Sequence, residues 1–404
     1  MTILDYQKAL GRKIAAERRR RGLSQPELAR MVDRSVAWVS QVERGVRKVD
    51  RMSVLEAVAA ALDVPLAELA AEAPVVAAVT EEPPGTGGLR LVLSGAYALR
   101  AMLDSRRAPA LSTLRTKARK AWDMTHAGRY TELTELLRSL IPDLETAARA
   151  VPEYQRAEVF ELMAATYQAC SAALAKLGEP EAAWIAADRA MAAAERAGNP
   201  LLVAAGAYRL VFVFINARHY DQAEETARTA AEALQPMADR GDPQAISLWG
   251  GLTLQRAVIA AHVNDPDLAY GQLERASQAA GRLGEGHNEY NTEFGPANVG
   301  LQEVAIAVDL GDAGRALRTA ASVDTSGLSA ERRARMLIEV ARAHAQRRQA
   351  DEAVTALLQA EQITPELVRG HVLVRQLVSD LLTMQDPPAA ELRDLARRLT
   401  AKSD

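Results

Sequence analysis

Six times between Ala127 and Ala360 the chain returns to one pattern. An apolar-periodic run meets a short polar turn, and a second amphipathic run follows. The segments begin AGRYTELTELL at Ala127, LGEPEAAWIAADRAM at Leu177 and ARHYDQAEETARTAAEAL at Ala217. VNDPDLAYGQLERASQAA at Val263, LGDAGRALRTAASV at Leu310 and RRQADEAVTALLQA at Arg347 complete the series, at intervals of roughly 38 to 50 residues. A period of this length holds two helices and their turns. One such hairpin cannot bury its apolar face alone, so the copies must stack on one another. Ala183, Ala223, Ala269, Ala316 and Ala353 recur after the turns, where small side chains let helices approach closely. The repeats therefore confine most of the chain to an α-solenoid. With aromatics at 4% and helix formers abundant, the whole chain reads as all-α.

A different organisation precedes the repeats. Residues 5–21 read as a first helix with Tyr6, Leu10, Ile14 and Arg18 on one face and Ala15 beside them. Gly22 stops it in the left-handed region. Ser24 then opens a second helix, with Glu27 three residues on as a capping box and Pro26 in the first turn. Leu28, Ala29 and Val32 form its inner face, Asp33 and Arg34 the turn. Ser35 caps a third helix whose inner face is Val39 and Val42, and Gly45 ends it. Neither short helix is stable alone, so the two must pack as a helix-turn-helix. Residues 1–70 carry 13 Lys/Arg against 9 Asp/Glu, a net of +4, which leaves -7 for the remainder. A basic head on an acidic body predicts that the head alone meets a polyanion.

Leu23-Ser24-Gln25, Leu28-Ala29, Ser35, Val39-Ser40, Val42-Glu43 and Gly45 resemble the phage-repressor-like (Cro/C1, or XRE) helix-turn-helix family. The following VRKVDRMSVLEAVAAALDVPLAEL is similar to that family's fourth and fifth helices, so the resemblance implies a five-helix DNA-binding domain over residues 1–70. Asp33 stands in the turn where the family often has Gly, a position Asp tolerates. The resemblance places Ser35, Val36, Ala37, Ser40 and Gln41 in the major groove. There Gln41 suits adenine, and Val36 or Ala37 a thymine methyl. Gln25 is expected on a phosphate, and Arg44, Arg47, Lys48 and Arg51 on the backbone. Trp38 fits either a partly buried prop or a DNA contact.

Residues 71–88, AEAPVVAAVTEEPPGTGG, have Pro and Gly clusters and no period, and read as a flexible linker. Residues 89–404 form the body. Its pattern resembles tetratricopeptide repeats, at about six degenerate copies over residues 110–385, and implies stacked helix pairs around a concave groove. In that family the first helix of each pair lines the groove. The implied lining here includes the aromatics Trp122, Tyr208 and Phe212, the amides Asn216 and Asn298, His262, Leu301, and the cations Arg335 and Arg342. Such a set suits an extended peptide: amides satisfy its backbone, aromatics fill side-chain pockets and Arg holds a carboxylate. Either asparagine can instead bond a neighbouring helix end. Residues 284–300, GEGHNEYNTEFGPANVG, interrupt the helical regularity, as a ligand-contacting loop or an ordinary connection between repeats.

No phosphate loop, HExxH, Cys/His metal spacing or Gly-x-Ser-x-Gly occurs in the sequence, so no enzyme, metal or cofactor is expected. His126, His219, His262 and His344 lie near ends of first helices and read as caps or solvated groups. The lone Cys170 forms no intramolecular disulfide, and neither a membrane span nor a signal peptide is legible, which predicts a cytoplasmic protein. The layout is similar to that of peptide-sensing bacterial regulators. It implies a homodimer that reads an inverted repeat in double-stranded DNA under control of a signalling peptide, small molecule or protein. The alternative is a tetratricopeptide interaction scaffold whose helix-turn-helix serves protein contacts.

Overall fold

The computed structural model describes residues 3–47, 49, 52–62, 64, 86–94, 108–384 and 388–400. Its elements are helices throughout, with no strand among the described residues, and the chain divides into two compact units, Met1–Glu81 and Glu82–Asp404. No described helix is long and apolar enough to cross a membrane.

In the first unit α1 (Ile3–Arg20), α2 (Gln25–Met31), α3 (Val36–Glu43) and α4 (Met52–Leu62) surround one core. Ile14, Leu28, Val39, Val58 and Leu62 are each about 1% exposed, and burying a side chain of this size contributes roughly 1.5–3 kcal/mol. Every punctuation mark expected between these helices is present. Gly22 and Gly45 have φ of 68°, and Asp33, at φ 49°, takes the left-handed turn without glycine. Ser24 accepts from the Glu27 N–H while Glu27 accepts from the Ser24 N–H, closing the capping box. Ser35 Oγ accepts from the Trp38 N–H. Gly11 serves close approach and makes no turn. A Cβ there would stand 2.3 Å from the Val42 carbonyl oxygen and 2.8 Å from that of Glu43. Only a bare backbone lets α1 lie this close to the end of α3. The fifth helix falls outside the described residues.

The second unit begins with α5 (Thr86–Val92), which corrects the reading of residues 86–88 as linker. Gly88 packs so closely on Thr134 that a Cβ would lie 2.5 Å from its methyl. Residues 71–85 of that linker lie outside the described residues. Six helical hairpins follow: α6 (Leu111–Ala127) with α7 (Tyr130–Ala150), α8 (Glu153–Lys176) with α9 (Pro180–Ala197), and α10 (Pro200–Asn216) with α11 (Tyr220–Asp239). Next come α12 (Pro243–His262) with α13 (Pro266–Leu283), α14 (Pro296–Asp309) with α15 (Ala313–Ser322), and α16 (Ala330–Gln346) with α17 (Ala350–Ile363). Three helices close the unit: α18 (Pro365–Gly370), α19 (Val372–Met384) and α20 (Ala390–Thr400).

The six turns inside the hairpins share one geometry. Gly128, Gly178, Arg218, Asn264, Gly311 and Arg348 are left-handed. The next N–H in each turn bonds the carbonyl five residues back, as Asp265 to Ala260 at 2.8 Å and Gln349 to His344 at 2.9 Å. This 6→1 bond satisfies carbonyls that a helix end would otherwise leave unpaired. Ala183, Ala223, Ala269, Ala316 and Ala353 are fully buried, so the small residues after the turns are where helices meet.

The stack comes round on itself. Helix α16 of the sixth hairpin packs on α6 of the first. At the start of α7, the Thr131 N–H donates to the Glu366 carboxylate of α18 at 2.9 Å. Residues 284–295 lie inside the curve, against α6, α10, α12 and α16. An open groove was expected; this segment occupies the place where one would lie.

Candidate functional site

The exposed face of the helix-turn-helix begins at the cap of α3. Ser35, Val36 and Ala37 are exposed there, and Ser40 and Gln41 are half-exposed one turn on. Arg44 and Arg47 are exposed just past the helix end, the Arg44 Nε donating to the Ser40 carbonyl at 3.2 Å. Lys48 and Arg51 fall outside the described residues. Trp38 is not part of this surface. It is 8% exposed and sits in the core with Val39 and Val42, because a residue four before Val42 shares its inward face. The DNA-contact reading of Trp38 is therefore corrected to the prop.

The α3 surface is fixed from behind by a buried ion pair. Arg18 at the end of α1 donates to Glu43 at the end of α3 through Nε at 2.5 Å and Nη2 at 3.0 Å. Its Nη1 donates to the Leu23 carbonyl at 2.7 Å. Gln25 at the start of α2 donates to the same Glu43 carboxylate at 2.8 Å. The two charged side chains are only 10% and 6% exposed. Burial alone would raise Glu43, but hydrogen bonds from Arg18 and Gln25 outweigh it and hold the carboxyl below the usual range. One carboxylate thus ties together the ends of three helices, and Gln25 is oriented by it.

Residues 9–71 match the family model described as a helix-turn-helix domain. The chain matches no curated protein. Among solved structures it is similar to PlcR of Bacillus thuringiensis in complex with the peptide PapR7 and DNA, at 15% identity, over 69% of this chain and 95% of that one, with a TM-score of 0.30. It is also similar to the apo form of the competence regulator ComR of Streptococcus vestibularis, at 12% identity, over 74% and 99% of the two chains, with a TM-score of 0.24.

In the second unit, the residues expected along a groove separate into three groups. Trp122 and Tyr208 face the interior but are 5% and 8% exposed. Trp122 Nε1 donates to the Ala165 carbonyl at 3.0 Å. Phe212 is half-buried with the Arg335 guanidinium 5.8 Å from its ring. A second group lies at the turn ends. Asn216 is exposed and donates to the Phe212 carbonyl of its own helix at 2.8 Å, which is the local alternative for an amide there. His262 stacks on Tyr220, and Arg342 is held by Asp309 at 2.7 Å and Glu339 at 2.5 Å. The third group is buried. Leu301 is fully covered in the core of the fifth hairpin, which corrects its assignment to the groove. Asn298 is 3% exposed, and its Oδ1 meets no hydrogen-bond donor among the described residues.

What fills the interior is a set of charges that periodicity does not reveal. Lys176 pairs with Glu331 at 3.0 Å, their side chains 11% and 1% exposed. Arg332, 6% exposed, pairs with Glu293 at 3.3 Å. Burial works to raise Glu331, yet Lys176 and Arg332 pull it down to about 2. Arg209 lies over the rings of Trp122 and Tyr208, 4.7 and 4.9 Å from their centroids. Its Nη2 donates to the carbonyls of Tyr290 at 3.1 Å and Asn291 at 2.7 Å. Burial lowers Arg209 to about 10, so it stays charged at neutral pH. His126, whose place near a helix end suits a cap or solvated group and whose register also puts it on the groove side, is turned inward with its Nε2 3.7 Å from Glu293, and burial lowers it to about 4. The one legible signal was Arg209 within the apolar run AYRLVFVFI, since a charge there must find partners.

Residues 284–295 make the other half of these contacts at the expense of backbone strain. Tyr290, Asn291 and Glu293 are left-handed, at φ of 51°, 57° and 50°. Each such non-glycine residue costs on the order of 1 kcal/mol.

Proposed function

We propose that this protein is a sequence-specific DNA-binding transcription regulator, acting as a homodimer on an inverted repeat, whose DNA affinity is set by an effector bound within the repeat unit. The observation that carries the reading is the α3 surface. Ser35, Val36, Ala37, Ser40 and Gln41 stand outward together, with Arg44 and Arg47 beside them, on a helix clamped by Arg18 and Glu43. Short polar and small apolar side chains at the start of such a helix match what base edges offer in a major groove, and the flanking cations match phosphates. Two heads in one dimer gain affinity by acting at high effective concentration. The buried charges of the repeat unit support the effector half of the reading, because ionic groups in a core are stable only with partners and are open to exchange of those partners.

The test is operator selection with the full chain from a random DNA pool, followed by anisotropy titrations over a range of salt. Gln41→Ala is expected to cost about 1–3 kcal/mol at the operator and to relax preference at one base pair. Arg47→Ala is expected to weaken all DNA alike and to lower the salt slope by about 1. A protein with no salt-dependent DNA binding, or a Gln41→Ala variant with unchanged affinity and preference, refutes the assignment.

A further inference from the structure

Residues 284–295 are bound by the repeat unit as a ligand would be. The contacts fall on three consecutive residues. Thr292 Oγ1 hydrogen-bonds Ser247 Oγ on α12 at 2.6 Å. The Glu293 carboxylate accepts from Arg332 Nε and from the Ser329 N–H, each at 3.3 Å. Phe294, 1% exposed, sets the tip of its ring against a helix position with no side chain: a Cβ on Gly250 would stand 2.1 Å from the ring's Cζ. A hydroxyl, a carboxylate and an aromatic ring are thus each received by a matching group, while Arg209 holds the carbonyls just before them.

Strain and charge both make this occupant replaceable. Its backbone is left-handed at three non-glycine residues, so it gains conformational freedom on leaving. Its departure also unbalances charge. Among the described residues, the carboxylates that act on Lys176, Arg209 and Arg332 are Glu331 and Glu293, so removing Glu293 leaves three buried cations on one carboxylate. The site therefore opens only for something that brings a carboxylate back.

We propose that Ser247, Gly250, Arg209 and Arg332 form a receptor for an extended peptide bearing an acidic residue followed by an aromatic one, and that Glu293 and Phe294 of the chain itself occupy it as a resident competitor. This rests on the effector-regulated reading above and names the effector's chemistry. An incoming peptide must displace the segment, so the affinity seen by the peptide is its intrinsic affinity reduced by the fraction of molecules in which the receptor is open.

The experiment uses the full chain and a fluorescent peptide of residues 288–297, NEYNTEFGPA. Phe294→Ala removes the resident ring and leaves the hole over Gly250 empty. It is expected to bind the peptide at least tenfold tighter than the wild-type chain. Glu293→Gln, which keeps the ring and the size, is expected to shift binding in the same direction and serves where Phe294→Ala does not fold. Gly250→Ala added to either variant fills the hole and is expected to abolish the gain. A peptide carrying Gln in place of its second Glu is expected to bind at least tenfold more weakly. If neither variant binds the peptide better than the wild-type chain, or if the Gln peptide binds as well as the Glu peptide, the receptor is refuted. Operator affinity of the same preparations, measured without peptide, tests the regulator reading separately. Its loss sinks that reading alone, whereas intact operator binding with no gain in peptide binding sinks the receptor alone.

Discussion

Replacing Glu43 with alanine isolates what one carboxylate does for the helix-turn-helix unit. The substitution leaves Arg18 with a single hydrogen bond, to the Leu23 carbonyl, in a site where its side chain is 10% exposed. It also frees the amide of Gln25. Removing one partner of a buried pair typically costs 3–5 kcal/mol, because the surviving charge stays desolvated. The retained Leu23 bond and the residual exposure of Arg18 place the expected loss at the low end, about 3 kcal/mol. At ~0.05–0.15 kcal/mol per residue, a unit of about 80 residues holds roughly 4–12 kcal/mol, so this loss raises its unfolded fraction about a hundredfold. Amide hydrogen exchange on the full chain resolves α1 to α3 from the repeat unit, and protection of Ile14, Leu28 and Val39 is expected to fall by that factor. The pair Arg18→Met with Glu43→Leu is expected to recover most of the stability, since apolar groups of similar size need no partners. Acid has the same target. The Glu43 carboxyl is depressed in the folded state, so its contribution is complete above the ordinary carboxyl pKa and is lost as pH falls through the depressed value. A fall in protection of less than tenfold in Glu43→Ala refutes the argument that this pair holds the three helix ends.

Two further outcomes follow from the same geometry. Gly11→Ala drives a methyl into the Val42 and Glu43 carbonyls, and is expected to abolish operator binding while thermal melting of the repeat unit is unchanged. His126 is neutral in the fold down to about pH 4 but takes a proton near 6.5 when unfolded, so the repeat unit is expected to lose stability as pH falls through that window. The limit is about 3 kcal/mol from this residue, and His126→Gln is expected to make the melting temperature less steep against pH between 6.5 and 4, the remaining slope coming from His371, which burial also lowers to about 4.

Local chemistry fixed a large share of this protein in advance. A left-handed residue, a cap and a hydrogen bond five residues back need only neighbouring atoms, so the turns at Gly128, Arg218 and Asn264 and the boundaries at Ser24, Ser35 and Gly45 were all legible. Alternation of apolar residues likewise announced which faces of α2 and α3 turn inward. Trp38, four residues before Val42, shares the inward side of α3, but how deeply so large a ring is covered was decided only by the packing of α1 to α4. The interior of the repeat unit was hidden for a stronger reason. Lys176 and Glu331 are separated by 155 residues, and Arg209 and Asn291 by 82. No helical period relates positions so far apart; they meet because the first and sixth hairpins close on one another. The sequence by itself determined the helix-turn-helix of the first unit, the helix pairs of the second and the face that α3 leaves exposed. Tertiary structure alone decided that the curve is filled by residues 284–295, because the balance of three cations against two carboxylates exists only where four distant segments converge.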